Sequence, residues 1–170
     1  MIISLIGFMG AGKTTAGREI AKRLGAGFID TDAYIEEREG KFIPDIFASE
    51  GESGFRKKEE DCLEEILEKH VSANPDTLED RTHCTLVLSL GGGIIMTKGC
   101  RELISRFTYC IYLKTDIDTV FSRLAGNTGD RPLLEGVDAS SLRETIVRLY
   151  AEREKYYEEL ADKVIGPENA

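Results

Sequence analysis

The chain has 170 residues, of which 41% are hydrophobic and 31% are charged. That length fits a single domain with a sizeable core, and that balance argues against disorder, a coiled coil and collagen-like repeats. Acidic residues outnumber basic residues by 31 to 22, so the formal net charge is −9. Nucleic acid is therefore not an expected partner, although a local cluster of donors can still bind an anionic ligand.

The first predicted elements are a strand and a helix joined by a glycine-rich loop. Residues 2–6 are mostly apolar and end at Gly7, as in a parallel strand buried on both faces. Residues 14–24 carry apolar side chains at helical spacing and stop at Gly25, which predicts a helix. Only five residues lie between Met1 and Gly7, so we expect no cleavable leader there and predict a cytoplasmic protein.

Further short apolar runs alternate with helix-like or irregular stretches, which predicts a five-stranded parallel sheet with helices on both faces. One helix is predicted near residues 52–70. Another is predicted from about Ser141, because Ser141 and Glu144 are spaced as a capping box. The four further runs lie at residues 28–29, 85–90, 109–113 and 163–165.

Membrane insertion and zinc binding are not expected. No apolar run approaches the ~18 residues that cross a bilayer, so we expect no membrane partner. The four cysteines show no CxxC spacing and are accompanied by only two histidines, which makes a zinc site improbable.

Residues 7–14 read GFMGAGKT, which matches G-x-x-x-x-G-K-[ST] directly after a predicted strand and at the start of a predicted helix. The glycines let backbone N–H groups converge on a phosphate, and the helix N-terminus adds its positive dipole end. In such a loop Lys13 reaches the β- and γ-phosphates and the Thr14 hydroxyl ligates Mg²⁺. The sequence therefore predicts a nucleoside triphosphate site formed by Gly10, Ala11, Gly12, Lys13, Thr14 and Thr15.

Two carboxylates, Asp30 and Asp32, follow the second predicted strand. They lie at the carboxyl edge of the sheet, where α/β proteins bind ligands. Beside a phosphate loop, one carboxylate can hold a Mg²⁺-bound water and the other can accept the proton of an attacking hydroxyl. The alternative is an N-cap of the helix that contains Tyr34 and Ile35. The neighbouring loop favours the functional interpretation.

Arg56 follows Phe55 on the predicted helix near residues 52–70. Glu59 falls on the apolar stripe of that helix, where a charge needs a partner or solvent. Arg56 lies one residue from the stripe, and its planar fork suits a carboxylate or a phosphate. An ordinary solvated helix face remains the alternative interpretation of this run.

Three glycines, Gly91, Gly92 and Gly93, follow the third predicted strand. They permit a close backbone approach to a substrate, and a tight turn from strand to helix explains them equally well. Residues 125–137 have the composition of a mobile loop, and Arg131 within it is placed to close over phosphates. Arg123 lies at a helix end, whereas a solvated face is the default interpretation of Arg153.

Together these motifs resemble the shikimate kinases, small P-loop kinases of the nucleoside-monophosphate-kinase type. The resemblance covers nearly the whole chain. It implies one P-loop kinase domain over residues 1–170, with a five-stranded parallel sheet, a substrate-binding helical segment near residues 31–60 and a lid near residues 125–137. The implied reaction is transfer of the γ-phosphate of MgATP to the 3-hydroxyl of shikimate, a step toward chorismate and the aromatic amino acids. The matching pieces are residues 7–15, 28–32, 54–56 with Glu59, 89–93, 131–134, and Arg153 with Tyr157.

The resemblance also implies a role for each site residue. Asp32 is the expected base for the attacking hydroxyl, and Asp30 the expected partner of water on Mg²⁺. Arg56 and Arg153 are expected to bind the shikimate carboxylate, with Gly91, Gly92 and Gly93 lining the ring. Lys13, Asp32 and Arg131 are the expected catalytic residues, and Arg123 is expected to lie along adenine.

Two other functions remain open from the sequence. A small-metabolite kinase such as a gluconate kinase has the same architecture, and spacing alone does not choose the acid. A nucleotide-binding module without catalysis is suggested by the few residues after the fifth predicted strand. A GTPase switch is not favoured, because the chain has no N-K-x-D motif. The acidic surface and the lack of heptads lead us to expect a monomer.

Overall fold

The computed structural model describes residues 1–79, 82–125, 134 and 139–166. These residues form one five-stranded sheet, in which every paired strand is parallel and the strand order is β2-β3-β1-β4-β5. The predicted sheet is thus confirmed, because each strand lies within two residues of its predicted bounds. The strands are β1 (Ile2–Ile6), β2 (Gly27–Asp30), β3 (Leu86–Ser89), β4 (Tyr109–Leu113) and β5 (Lys163–Ile165).

The helices agree with the predictions in place but not in every boundary. The longest, α3, is divided by a backbone break at Gly51, and its second part begins at the predicted residue 52 and ends three residues after the predicted residue 70. The predicted capping box at Ser141 and Glu144 is wrong, because α6 begins at Ala139 and Ser141 therefore lies inside its first turn. The helices are α1 (Lys13–Leu24), α2 (Thr31–Glu39), α3 (Ile43–Ala73), α4 (Lys98–Phe107), α5 (Ile117–Leu124) and α6 (Ala139–Leu160), with short 3₁₀ helices at Pro75–Leu78 and Ile94–Met96.

Both faces of the sheet are covered, as predicted. Successive side chains of β1 point to opposite faces, so Ile2 and Ile6 join one apolar cluster while Ile3 and Leu5 join another. The first cluster also takes side chains from α3, α4 and α6, and the second takes Ala21 and its neighbours from α1. This burial on two faces explains why the strands read as nearly continuous apolar runs.

The helix α3 is broken at Gly51, which has φ 70° and ψ −179°. Side chains with a Cβ rarely adopt that backbone conformation, so glycine permits the break. The first part of α3 and the helix α2 form a small apolar cluster against Phe55 and Cys62. A helical layer thus stands over the carboxyl edge of β2, beside the loop that follows β1.

Within the described residues, no helix is both long and apolar enough to cross a bilayer. All four cysteines are buried free thiols. Burial raises the pKa of the Cys100 and Cys110 thiols to about 12. The four thiols are therefore packing groups of the core.

Candidate active site

The loop between β1 and α1 curves around the side chain of its own lysine. Gly10 and Gly12 have φ values of 79° and 87°, which favour glycine. Gly12 is the N-cap residue of α1. The Nζ atom of Lys13 donates hydrogen bonds to the carbonyl oxygens of Gly7, at 2.9 Å, and Phe8, at 3.1 Å. Hydrogen bonds from the lysine ammonium to two carbonyl oxygens of the same loop therefore hold this loop, which we call the phosphate loop, in a closed conformation.

A cleft of about 740 Å³ opens beside this loop. It is large enough for a small-molecule ligand. Arg123 reaches the cleft from the end of α5, and its Nη1 donates to the Gly10 carbonyl oxygen at 2.6 Å. The cleft brings together the predicted nucleotide-binding residues Gly10, Ala11, Gly12, Lys13, Thr14, Thr15 and Arg123 with Asp30, Asp32 and Gly92.

The two carboxylate oxygens of Asp30 accept hydrogen bonds from different groups. Oδ1 accepts from the backbone N–H groups of Asp32, at 3.1 Å, and Ala33, at 3.3 Å, so Asp30 is the N-cap of α2. Oδ2 accepts from the Thr14 hydroxyl at 2.7 Å. The two alternative interpretations of Asp30 are therefore compatible, because capping leaves one oxygen directed toward the phosphate loop.

Ser89 lines the cleft, and the sequence analysis assigned it no role. Its Oγ lies 3.4 Å from the Thr14 hydroxyl, and the residue is buried where β3 meets the cleft. The available signal was a hydroxyl residue inside a run of apolar residues, directly before the glycine triplet. A buried hydroxyl needs a partner, and here the partner is Thr14 in the first turn of α1.

The glycine triplet makes room for four different neighbours. A Cβ on Gly91 would lie 2.6 Å from Asp32 Oδ1 and 2.8 Å from Glu59 Oε1. A Cβ on Gly92 would lie 3.1 Å from the backbone nitrogen of Met9, in the phosphate loop. A Cβ on Gly93 would overlap the guanidinium of Arg56. The triplet therefore lets two carboxylates, a guanidinium and the phosphate loop converge on one short segment.

Arg56 and Glu59 form a pair on α3 beside this triplet. Arg56 Nη1 donates to Glu59 Oε2, and Nη2 donates to Glu52 Oε1 at 3.0 Å. The Arg56 side chain is only 14% exposed, so the solvated-face interpretation does not hold for it. Its buried Nε atom has no hydrogen-bond partner among the described residues. One donor of this guanidinium is therefore still without an acceptor.

Glu59 is almost completely buried, with a relative exposure of 2%. Burial raises the pKa of its carboxyl to about 7, and the charge and hydrogen bond of Arg56 oppose that increase. The nearby Asp32 carboxylate raises the pKa of Glu59 further. Arg56 is thus the partner that the Glu59 carboxylate needs on the apolar stripe of this helix.

Arg153 reaches the same segment from α6. It is 3% exposed, its Nη1 donates to the Gly92 carbonyl oxygen at 3.4 Å, and its guanidinium lies 5.6 Å from the centre of the Phe8 ring. The default interpretation of a solvated face is therefore wrong for Arg153. The hydroxyl of Tyr157, a residue that belongs to the matching pieces but received no role from the sequence, donates to the same carbonyl oxygen.

Arg131 and most of the predicted lid lie outside the described residues. Of residues 125–137, the structure describes Ala125 and Leu134, and Leu134 is buried in the main apolar cluster. The predicted roles of Arg131 and of the lid remain predictions.

A family model for shikimate kinase matches residues 9–170. The chain belongs to the shikimate kinase family. The shikimate kinase of Aromatoleum aromaticum is 39% identical over 166 residues, which are 97% of this chain and 84% of that protein. The shikimate kinase of Actinobacillus pleuropneumoniae serotype 5b is 42% identical over 94% of this chain and 82% of its own length.

A solved structure supports the same assignment. The shikimate kinase from Acinetobacter baumannii, in complex with shikimate, is 35% identical and superimposes with a TM-score of 0.82 over 96% of this chain and 82% of that one. The predicted family and the predicted P-loop kinase fold are thereby confirmed. The family is one of kinases that use ATP.

Proposed function

We propose that this protein transfers the γ-phosphate of MgATP to the 3-hydroxyl of shikimate, giving shikimate 3-phosphate and ADP. One observation carries the proposal: the cleft that contains the phosphate loop also contains Asp32, beside a glycine segment that Arg56 and Arg153 approach from two helices. Polyphosphate-binding and acid-binding groups are thus adjacent, as direct transfer between two substrates requires.

The phosphate loop would bind the nucleotide. Its backbone N–H groups and the start of α1 favour an anion, and Lys13 would exchange its bonds to two carbonyl oxygens for bonds to the phosphates. Arg123, which lies over Gly10, would contact the base, and Arg131 would contribute charge when the lid closes.

The residues near Thr14 fit a magnesium ion that arrives with the phosphates. The Thr14 hydroxyl and Asp30 are hard oxygen donors, which Mg²⁺ prefers. The described residues contain no group of three or more His, Cys, Asp or Glu side chains that could hold a metal by themselves. Thr14 would bind the ion directly and Asp30 through water. When bound, the ion neutralises charge on the transferred phosphate.

The acidic alcohol would lie between the two guanidinium groups and Asp32. Arg56 and Arg153 would bind its carboxylate, since a guanidinium donates two parallel hydrogen bonds to such a group. Asp32 would accept the hydroxyl proton as the new O–P bond forms and the bond to the β-phosphate oxygen breaks. No covalent enzyme intermediate is required, so the residues act by positioning and by charge. The expected monomer and the expected cytoplasmic location remain predictions.

A coupled assay of ADP release with a panel of acceptors tests the proposal. With MgATP we expect turnover with shikimate and much less with gluconate. Asp32→Asn should lower kcat by about 10²-fold or more, because general-base catalysis contributes roughly that factor. The matched control is Asp61→Asn, an exposed carboxylate on α3 paired with Lys57, and it should leave kcat unchanged.

Two results would contradict the proposal. Faster ADP release with gluconate would make the protein a kinase of a different acid. No turnover with any acceptor, together with ATP binding, would identify a nucleotide-binding module without catalysis.

A further inference from the structure

Tyr157 lies on α6 one turn after Arg153 and is fully buried. Its hydroxyl donates to the carbonyl oxygen of Gly92, the same oxygen that Arg153 Nη1 approaches at 3.4 Å. The Arg153 bond is long, so the tyrosine hydroxyl is the main partner of that carbonyl. A residue outside the cleft lining thus fixes a peptide group of the glycine segment.

The peptide between Gly92 and Gly93 transmits this contact to its other side. A peptide is planar and trans, so the Gly92 carbonyl oxygen and the Gly93 N–H point in opposite directions. A carbonyl oxygen held toward α6 therefore directs the Gly93 N–H away from α6. In the part of the chain that the structure describes, that N–H has no hydrogen-bond partner.

A second donor without an acceptor belongs to Arg56, whose guanidinium packs against Gly93. A Cβ on Gly93 would overlap the Arg56 guanidinium, so the two groups are immediate neighbours. The Arg56 Nε is buried and also has no partner among the described residues. Buried donors are normally satisfied, so each of these two donors is available to an acceptor that a ligand supplies.

The side chain of Tyr157 is held firmly enough to act in this way. Its ring stacks on Tyr112, with 5.0 Å between ring centres and 22° between planes. The Tyr112 hydroxyl pairs with the Tyr150 hydroxyl at 3.0 Å, which ties β4 to α6. Burial raises the pKa of the Tyr157 phenol, so the hydroxyl keeps its proton and remains a donor.

We propose that Tyr157 is a positioning residue, which holds the Gly92 carbonyl so that the Gly93 N–H donates to the carboxylate of the acceptor. The inference rests on the proposed function and assigns Tyr157 to the carboxylate end of the acceptor. Tyr157 acts through the Gly92–Gly93 peptide and does not contact the acceptor.

Steady-state kinetics of the full chain test this role. Tyr157→Phe keeps the ring and removes only the hydroxyl, and we expect the KM for shikimate to rise about tenfold, as the loss of one well-placed hydrogen bond does. The KM for MgATP should stay within about twofold of wild type, since the phosphate loop is unaffected. With the shikimate methyl ester, which lacks the carboxylate charge, the KM values of the wild-type protein and of Tyr157→Phe should differ much less.

The matched control is Tyr150→Phe, which removes a buried hydroxyl from the same aromatic group without touching Gly92. It should leave both KM values unchanged. Equal effects of the two substitutions on the shikimate KM, or a parallel rise in both KM values, would show that Tyr157 only stabilises the fold and would overturn the proposal.

A measurement on the wild-type protein covers the case in which Tyr157→Phe does not fold. Titration with shikimate should move the Gly93 amide proton downfield in NMR spectra, whereas an unmoved Gly93 signal at saturation would overturn the proposal. Absence of shikimate turnover in wild type would instead refute the proposed function. If the wild-type protein turns over shikimate but Tyr157→Phe leaves the KM for shikimate unchanged, only this inference is refuted.

Discussion

Glu59 places an ionisable group inside an apolar helix stripe. It shares the space next to Gly91 with Asp32, and its salt bridge to Arg56 only partly offsets the burial of its charge. The carboxyl pKa of about 7 therefore lies well above its ordinary value of 4.5. Between these two values the folded protein holds a proton that the unfolded chain has released.

Glu59 should thus make stability fall as the pH rises. The native state binds more protons than the unfolded state between about pH 4.5 and pH 7, so the free energy of unfolding decreases through that window, by on the order of 3 kcal/mol. The side chain introduced by Glu59→Gln cannot ionise, so this variant should lack that pH-dependent decrease in the free energy of unfolding. Urea unfolding of both proteins between about pH 4 and pH 8 measures the difference. A difference that does not change with pH would mean that Glu59 ionises normally.

At the residue scale, motifs predicted the site where the chemistry is local in sequence. The phosphate loop and Asp30 were recognised because the spacing itself carries their function. Arg56 was ambiguous, because its burial depends on Gly93, which is distant in sequence. Tyr157 and Ser89 lie in matching pieces of the sequence but received no role, because each contacts a group from another element, and periodicity does not show which carbonyl or hydroxyl a buried side chain will meet.

At the element scale, α1 lies unusually close to the sheet. A Cβ on Gly17 would lie 2.6 Å from the Phe28 ring and 3.2 Å from Leu5 Cδ1. This glycine therefore sets the distance between α1 and the strands. Because α1 begins at Lys13, the same distance sets the position of the phosphate loop.

Gly17→Ala should destabilise the protein despite the better helix propensity of alanine. Propensity favours alanine by about 1 kcal/mol, whereas overpacking costs about 1–3 kcal/mol, so we expect a net loss near 1 kcal/mol. Thermal unfolding should show a melting temperature lower by roughly 2–4 °C. Gly27→Ala is the control, because its Cβ would make ordinary contacts at 3.5 Å or more. An unchanged or higher melting temperature for Gly17→Ala would show that α1 moves aside freely.

Element boundaries were predictable where burial alone defines them. The strands β1 and β3 are short runs buried on both faces, and the ends of all five strands agreed closely with the prediction. The second part of α3 begins where the helix was predicted, because Gly51 breaks the helix there, whereas the first part, from Ile43, received no bounds from the sequence. The start of α6 was predicted two residues late, because the spacing of a capping box also occurs inside the first turn of a helix.

At the scale of the whole molecule, three apolar clusters are joined through shared elements. The strand β1 supplies side chains to two of them, on opposite faces. The helix α3 supplies Leu63 to the main cluster and Cys62 to the small one, and Tyr34 packs against both. None of these clusters can lose its packing without disturbing its neighbour.

Unfolding should therefore be a single cooperative transition that includes residues 31–60, the helical segment predicted to bind the substrate. Calorimetry should give one peak with equal calorimetric and van't Hoff enthalpies, near 120 kcal/mol at about 0.7 kcal/mol per residue. Two separated peaks, or a calorimetric enthalpy well above the van't Hoff value, would show that residues 31–60 unfold as an independent unit.

The bonds from Lys13 to Gly7 and Phe8 have a consequence for selectivity. These bonds hold the phosphate loop in one conformation before a nucleotide binds. Little binding free energy is therefore lost in ordering the loop. The phosphates of the nucleotide must instead compete with the carbonyl oxygens of Gly7 and Phe8 for the Lys13 ammonium. A weakly charged anion would compete poorly, whereas a polyphosphate would compete well, and the unliganded protein would thus discriminate against small anions before any lid moves.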